Sequence, residues 1–200
     1  MAQIRNHPAF SAEIDRKFEI HEWGHAIAIM QTDFPQQWKE LNDVLQQFRL
    51  CKSWILQPGG RKSKVSAFID QLLYDRGWEE KSFEISMNVD LHERELPTHS
   101  VDCYKNRIAL EIEWNNKDPF YDRDLNNFRL LFDLRTISVG VIITRCDVLQ
   151  DIFDQLGRGA SYGSSTTHMS KLLPRIEVGG AGGCPLLVFG IDDEAFDENC

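Results

Sequence analysis

Three acidic residues fall close together in the middle of the chain: Asp102 and, after eight intervening residues, Glu111 and Glu113. Glu111 and Glu113 are two positions apart, so on a β-strand their side chains share a face. Ile108, Leu110 and Ile112 then take the other face. Converging carboxylates repel one another unless a cation lies between them. Their hard oxygens suit Mg²⁺, which takes one or two protein carboxylates together with phosphate and water oxygens. Strand-borne acids at this spacing suit metal-dependent phosphodiester hydrolysis, where the ion bridges the scissile phosphate and lowers the pKa of the attacking water. The same E-x-E spacing also suits the solvated face of an amphipathic strand.

A second constellation competes with the first. His21-Glu22-Trp23-Gly24-His25 matches H-E-x-x-H, which on a helix puts two imidazoles on one face for zinc, with Glu22 as general base. Against that zinc-peptidase reading, Gly24 is unfavourable inside a helix. No downstream histidine fits the longer spacing of a third ligand, and Glu40 lies closer than usual. The pair also continues the apolar stripe of Ile14 and Phe18, as packed histidines would.

The first third of the chain, residues 1–77, reads as mainly helical. Apolar residues at Ile14, Phe18, Ala28 and Ile29 predict a helix from Ser11 to about Gln31. Pro35 begins a second helix after Asp33 as cap, burying Trp38, Leu41, Val44, Leu45 and Phe48. A third follows the basic run Arg61-Lys62-Ser63-Lys64, with core positions Phe68, Leu72 and Leu73, and ends at Gly77. From residue 78 to 191 the texture is that of a sheet core. Phe83–Val89 alternates with period two, and His99–Tyr104 and Arg107–Trp114 form a hairpin about a Lys105-Asn106 turn. A helix spans Asp122–Leu134. The continuous apolar run Val139–Thr144 reads as a strand covered on both faces. A helix around Val148–Leu156, a Gly/Ser/Thr loop at Gly157–Thr167, a short helix to Leu173 and a strand Pro185–Gly190 follow. The expected fold class is α/β, a mixed central sheet flanked by helices in one domain of residues 1–191, with an acidic tail at 192–200.

Asp102-(x)8-Glu111-Ile112-Glu113, then Trp114-Asn115-Asn116-Lys117-Asp118-Pro119-Phe120, and later Ser138-Val139-Gly140-Val141-Ile142-Ile143-Thr144, resemble the restriction endonucleases of the BglII/BstYI type, in the PD-(D/E)XK superfamily. The likeness runs from Lys64 to Ile191, with an echo at Gln37-Trp38-Lys39-Glu40. It implies a restriction-endonuclease-like fold and a Mg²⁺ site made by Asp102, Glu111 and the main-chain carbonyl of Ile112. Glu113 stands at the third motif position, as proton acceptor or as ligand to a second cation. The proline of the motif is absent, since Val101 precedes Asp102. The resemblance also places base-reading residues at Asn115 and Asn116, with Lys117 beside them, and a second recognition loop at Ser161, Ser164 and Ser165. Arg61, Lys62 and Lys64 suit phosphate contacts, or a simple exposed helix start. The activity implied is that of a homodimeric type II enzyme cutting both strands of double-stranded DNA at a palindrome with a GATC centre, leaving 5′-phosphates. A PD-(D/E)XK fold serving DNA repair, or binding DNA without cleavage, is the other reading.

Composition sets the outer bounds. The 200 residues are 42% hydrophobic and 26% charged, ordinary for a folded domain. The formal charge of −9 argues against a polyanionic partner until the charges are located. Five of the acids lie in residues 181–200, which hold no Lys or Arg, and three more are the motif acids. No apolar run approaches a membrane span, and the N-terminus lacks a signal-peptide layout. Five scattered cysteines with no C-x-x-C pair predict neither a disulfide framework nor a zinc knuckle, and a reducing cytoplasm.

Overall fold

In the computed structural model, which describes residues 3–58, 62–90, 92–96 and 98–200, the chain begins with strand β1 (Gln3–Ile4) and helix α1 (Ala12–Lys17). Ser11 caps α1, its Oγ accepting from the Ile14 amide at 3.3 Å. The helix expected to reach Gln31 stops at Lys17. Phe18–Trp23 is instead strand β2, and only Ala26–Asp33 returns to helix, as α2. The i, i+4 pair of Ile14 and Phe18 is a true helical spacing that ends there; Phe18 and Ile20 then bury with period two. Gly24 and His25, at φ +66° and +59°, make the left-handed corner between β2 and α2.

Helix α3 (Pro35–Gln47) has Pro35 in its first turn, and Leu41, Val44 and Leu45 are buried. Its cap position is Phe34, not Asp33, which is the last residue of α2. Strand β3 (Leu50–Cys51), helix α4 (Lys52–Leu56) and helix α5 (Lys64–Tyr74) complete this layer. Strand β4 (Glu79–Lys81) follows. The alternating segment after it forms β5 (Ile85–Val89), which pairs only with β6 (His92–Leu96) as a separate two-stranded hairpin. Then come β7 (Val101–Lys105), β8 (Ile108–Ile112), α6 (Phe120–Asp133), β9 (Val139–Arg145), α7 (Leu149–Gln155), α8 (Met169–Glu177), β10 (Leu186–Ile191) and β11 (Phe196–Asp197).

The main sheet has seven strands in the order β1-β2-β10-β9-β8-β7-β4. β9 lies at its centre, parallel to both β8 and β10, while the other pairings are antiparallel. One face, with Val141, Ile143, Leu187 and Phe189, packs on Ile14, Leu41, Leu45, Ile69 and Phe153 from the helices. The opposite face, with Ile142, Leu186 and Val188, packs on Tyr121, Leu125 and Phe128 of α6 and Leu172 and Ile176 of α8. Both faces of β9 are therefore buried, as its unbroken apolar run requires. The mixed α/β expectation holds.

The segment beyond Ile191 is docked. β11 pairs in parallel with β3, and Cys200 forms a disulfide with Cys51, against the expectation that no cysteines pair. Among the described residues, no helix is long and apolar enough to cross a membrane.

Candidate active site

The hairpin β7–β8 places the acids. Its turn is Asn106-Arg107, one residue later than expected, with φ of +46° and +69°, the conformation that a two-residue hairpin turn demands. The register that pairs Cys103 with Leu110 sets Asp102 beside Glu111. The Asp102 amide donates to Glu111 Oε2 at 3.3 Å, and the Ile112 amide donates to Asp102 Oδ2 at 3.0 Å. Glu113 continues the strand direction, its amide bonded to Ile143 O of β9 at 2.9 Å.

The acids are not on a solvated face. Glu111 is 1% exposed and Glu113 2%, because α6 and α8 cover that side of the sheet. A fourth acid, Asp124 of α6, is fully buried against them. Burial first, and then the charge of Asp124, hold the Glu111 carboxyl well above the usual carboxylate range. The same causes push Glu113 up to about 9. Burial raises Asp102 to about 6. One carboxylate oxygen each of Glu111 (Oε1) and Asp124 (Oδ2) is buried without a hydrogen bond. Glu113 is held more fully: Asn116 Nδ2 donates to its Oε2 at 2.9 Å, and Arg123 lies 3.5 Å from its Oε1. The same Arg123 donates to Asp124 Oδ1 through Nε and Nη2 at 2.9 and 2.8 Å.

No three His, Cys, Asp or Glu side chains among the described residues are arranged to hold a metal ion. The donor set nonetheless suits a hard divalent cation. Its side-chain donors are carboxylate oxygens, Glu111 Oε1 is buried without a partner, and the Glu111 and Glu113 carboxyls stay raised although Arg123 pairs with Glu113 and Asp124.

A cleft of about 480 Å³ opens beside Asp102 and Ile112. Lys62 and Lys64 line it from the start of α5, Asn115 and Asn116 from the turn after β8, and Ser161 and Arg158 from the loop after α7. Candidates scattered over a hundred residues of sequence thus meet at one opening. Asn115 adopts φ +59° and has a buried side-chain oxygen without a partner. Asn116, which also lines the cleft, donates one hydrogen of Nδ2 to Glu113. Lys117, Ser164 and Ser165 are exposed just outside the cleft, on two segments laid side by side: Lys117 bridges Thr166, and the Asp118 amide donates to Ser165 O at 3.1 Å. Lys62 also ion-pairs with buried Asp70. Arg61 lies outside the described residues.

Asp124, Asp70, Arg123 and Arg158 were not among the sequence candidates. Asp124 carried a signal: it shares the helical stripe of Tyr121, Leu125 and Phe128, where a lone acid must be buried.

The histidine motif does not assemble. His21 is buried on a strand with Nε2 bonded to Glu19 Oε1 at 2.6 Å, and His25 is exposed at the corner. Glu22 Oε1 accepts from the Ile27 amide at 2.8 Å, capping α2. The helix that a zinc site would need is absent at these positions.

The family model described as Restriction endonuclease BglII/BglIII matches residues 18–191, most of the chain. No curated protein matches.

Proposed function

The chain belongs to the restriction endonuclease BglII/BglIII family and is thereby a type II site-specific deoxyribonuclease that acts on DNA; from that premise we propose that Asp102, Glu111 and Glu113 are its catalytic residues. Enzymes of this kind generally use a divalent metal. Asp102, Glu111 and the Ile112 carbonyl would hold it here, as Mg²⁺. Bound there, the ion supplies charge stabilisation at the phosphate and a water of lowered pKa. Glu113 would accept a proton from the attacking water once a bound cation offsets the repulsion that raises its carboxyl, which Asn116 and Arg123 orient. Lys62, Lys64, Arg158 and Arg61 of the same basic run neutralise backbone phosphates. Asn115, Lys117, Ser161, Ser164 and Ser165 meet base edges, and Asn116 supports the site from behind.

The whole reading is of one restriction-endonuclease-like domain over residues 1–191, working in the cytoplasm as a homodimer. It cuts both strands of a GATC-centred palindrome and leaves 5′-phosphates. The observation that supports it most is that two buried motif acids, Glu111 and Glu113, lie behind a half-buried third, Asp102, at a cleft that also receives Lys62, Lys64, Asn115 and Ser161. A surface strand would leave those acids in water.

The test is cleavage of plasmid DNA with Mg²⁺ by the wild type and by Glu111→Ala. The variant is expected to lose cleavage by about 10³-fold or more, the scale of several kcal/mol of charge stabilisation, and to retain DNA in a gel-shift assay. Wild-type cutting by Glu111→Ala contradicts the assignment.

A further inference from the structure

Arg145, the last residue of β9, is 1% exposed. Its Nη2 donates to Tyr162 O at 2.8 Å and to Thr166 Oγ1 at 3.0 Å, both on the loop after α7. The guanidinium also lies over the Phe153 ring, 5.3 Å from its centroid, and Phe153 stacks on Tyr162 at 4.0 Å. These partners are all neutral. Asp147 reaches Arg145 only through space, its carboxylate being taken by His168 and Ser170. The Nε of Arg145 is buried without a hydrogen bond. A buried cation among neutral partners is costly, and a neutral side chain of similar volume is often as stable or more so. Stability does not explain an arginine here.

Its neighbours tie the same loop to the acids. Thr144 Oγ1 donates to the Glu113 carbonyl at 2.9 Å, and Thr167 Oγ1, from the loop, donates to that same carbonyl at 3.2 Å. The Thr167 amide also bonds to Asn116 O at 2.8 Å. One carbonyl is thus fixed by the central strand and by the loop together.

We infer that Arg145 is a positioning residue that pins the loop of residues 159–167 so that its seating on DNA bases sets the backbone of Glu113, coupling base reading to catalysis. The inference rests on the nuclease reading above and adds to it the route by which recognition reaches the catalytic acid. Arg145 touches neither DNA nor the reacting atoms. The planar Nη2 aims its two hydrogens at the two acceptors in one fixed geometry, which a freely rotating lysine ammonium does not reproduce.

Two variants, Arg145→Met and Arg145→Lys, test this with two readouts. The first is amide hydrogen exchange of the DNA-free protein. Exchange of the loop amides and of Thr167 should rise about ten-fold or more in both variants while the central strands keep their protection. The second is the ratio of kcat/KM on the preferred site to that on a site changed at one base. It should fall about ten-fold or more, through kcat on the preferred site with KM little changed. Unchanged loop exchange overturns the pinning, and a loosened loop with an unchanged ratio overturns the coupling. If Arg145→Met does not fold, Arg145→Lys carries both readouts and wild-type behaviour in it overturns the inference. A wild type that cuts no DNA overturns the nuclease reading, and the coupling with it, while the exchange result still judges the pinning alone.

Discussion

Three buried carboxyls and a half-buried fourth within reach of one another are an electrostatic cost that folding alone does not repay, and the cost has a pH signature. Asp102 and Glu113 are raised from ordinary values of 3.8 and 4.5 to about 6 and about 9, burial being the first cause in each. A group whose folded pKa lies above its unfolded value contributes stability that is full below the unfolded value and lost as pH rises through the folded one. The metal-free protein is therefore expected to melt lower at pH 8 than at pH 5, and added Mg²⁺ should reduce the gap. A melting temperature that rises over that interval without metal contradicts this. Asn116 offers a second prediction. Its amide holds Glu113, so Asn116→Ala should lower kcat by about 10–100-fold, the worth of one hydrogen bond to a charged group, with site preference kept. Loss of preference at unchanged rate would make it a base reader. Strand spacing put Glu111 and Glu113 on one face, and the resemblance to the family's motif joined Asp102 to them. Asp124 left only its place on the apolar stripe of α6 as a signal, and Arg145 left none, since it ends an apolar strand and only the tertiary packing shows that it is buried.

Strands and helices differed in how openly they announced themselves. β9, α3 and α6 carry long, uniform patterns and formed where expected, to within two residues at their starts. β2 hid inside a helical stripe, because Ile14 and Phe18 are four apart by true helix geometry while the next buried residue, Ile20, follows by strand geometry. β5 read correctly as a strand, yet its partner β6 is exposed and polar at residues 92–95 and gave no periodic signal. One edge of the main sheet, β4, is only three residues long. The central strand also sets a packing limit that can be measured. A Cβ at Gly140 would lie 2.6 Å from Phe128 Cδ2 and 2.8 Å from Leu186 Cδ2, between α6 and β10. Gly140→Ala should cost about 1–3 kcal/mol by overpacking, read as a lower denaturant midpoint at unchanged slope. An unchanged midpoint would mean that α6 moves freely on the sheet.

At the scale of the molecule, the net charge of −9 conceals a division. The acidic C-terminal segment meets cations of the helical layer: Glu194 lies 3.9 Å from Arg16, Asp197 3.7 Å from Arg49, and Glu198 3.0 Å from Lys52. The buried acids would be offset by a bound cation. Lys62, Lys64 and Arg158 meanwhile converge on the cleft, so a polyanion finds local positive charge on an acidic protein. The proposed homodimer and its proposed palindromic site would share a two-fold axis, with each subunit cutting one strand. The most direct measurement is therefore digestion of a sequenced plasmid with Mg²⁺, followed by sequencing of every fragment end. Discrete fragments are expected, all ending in 5′-phosphates at one short palindrome and cut symmetrically on both strands, with none formed in EDTA. Ends scattered without a shared sequence, or intact plasmid after exhaustive digestion with Mg²⁺, would contradict the account.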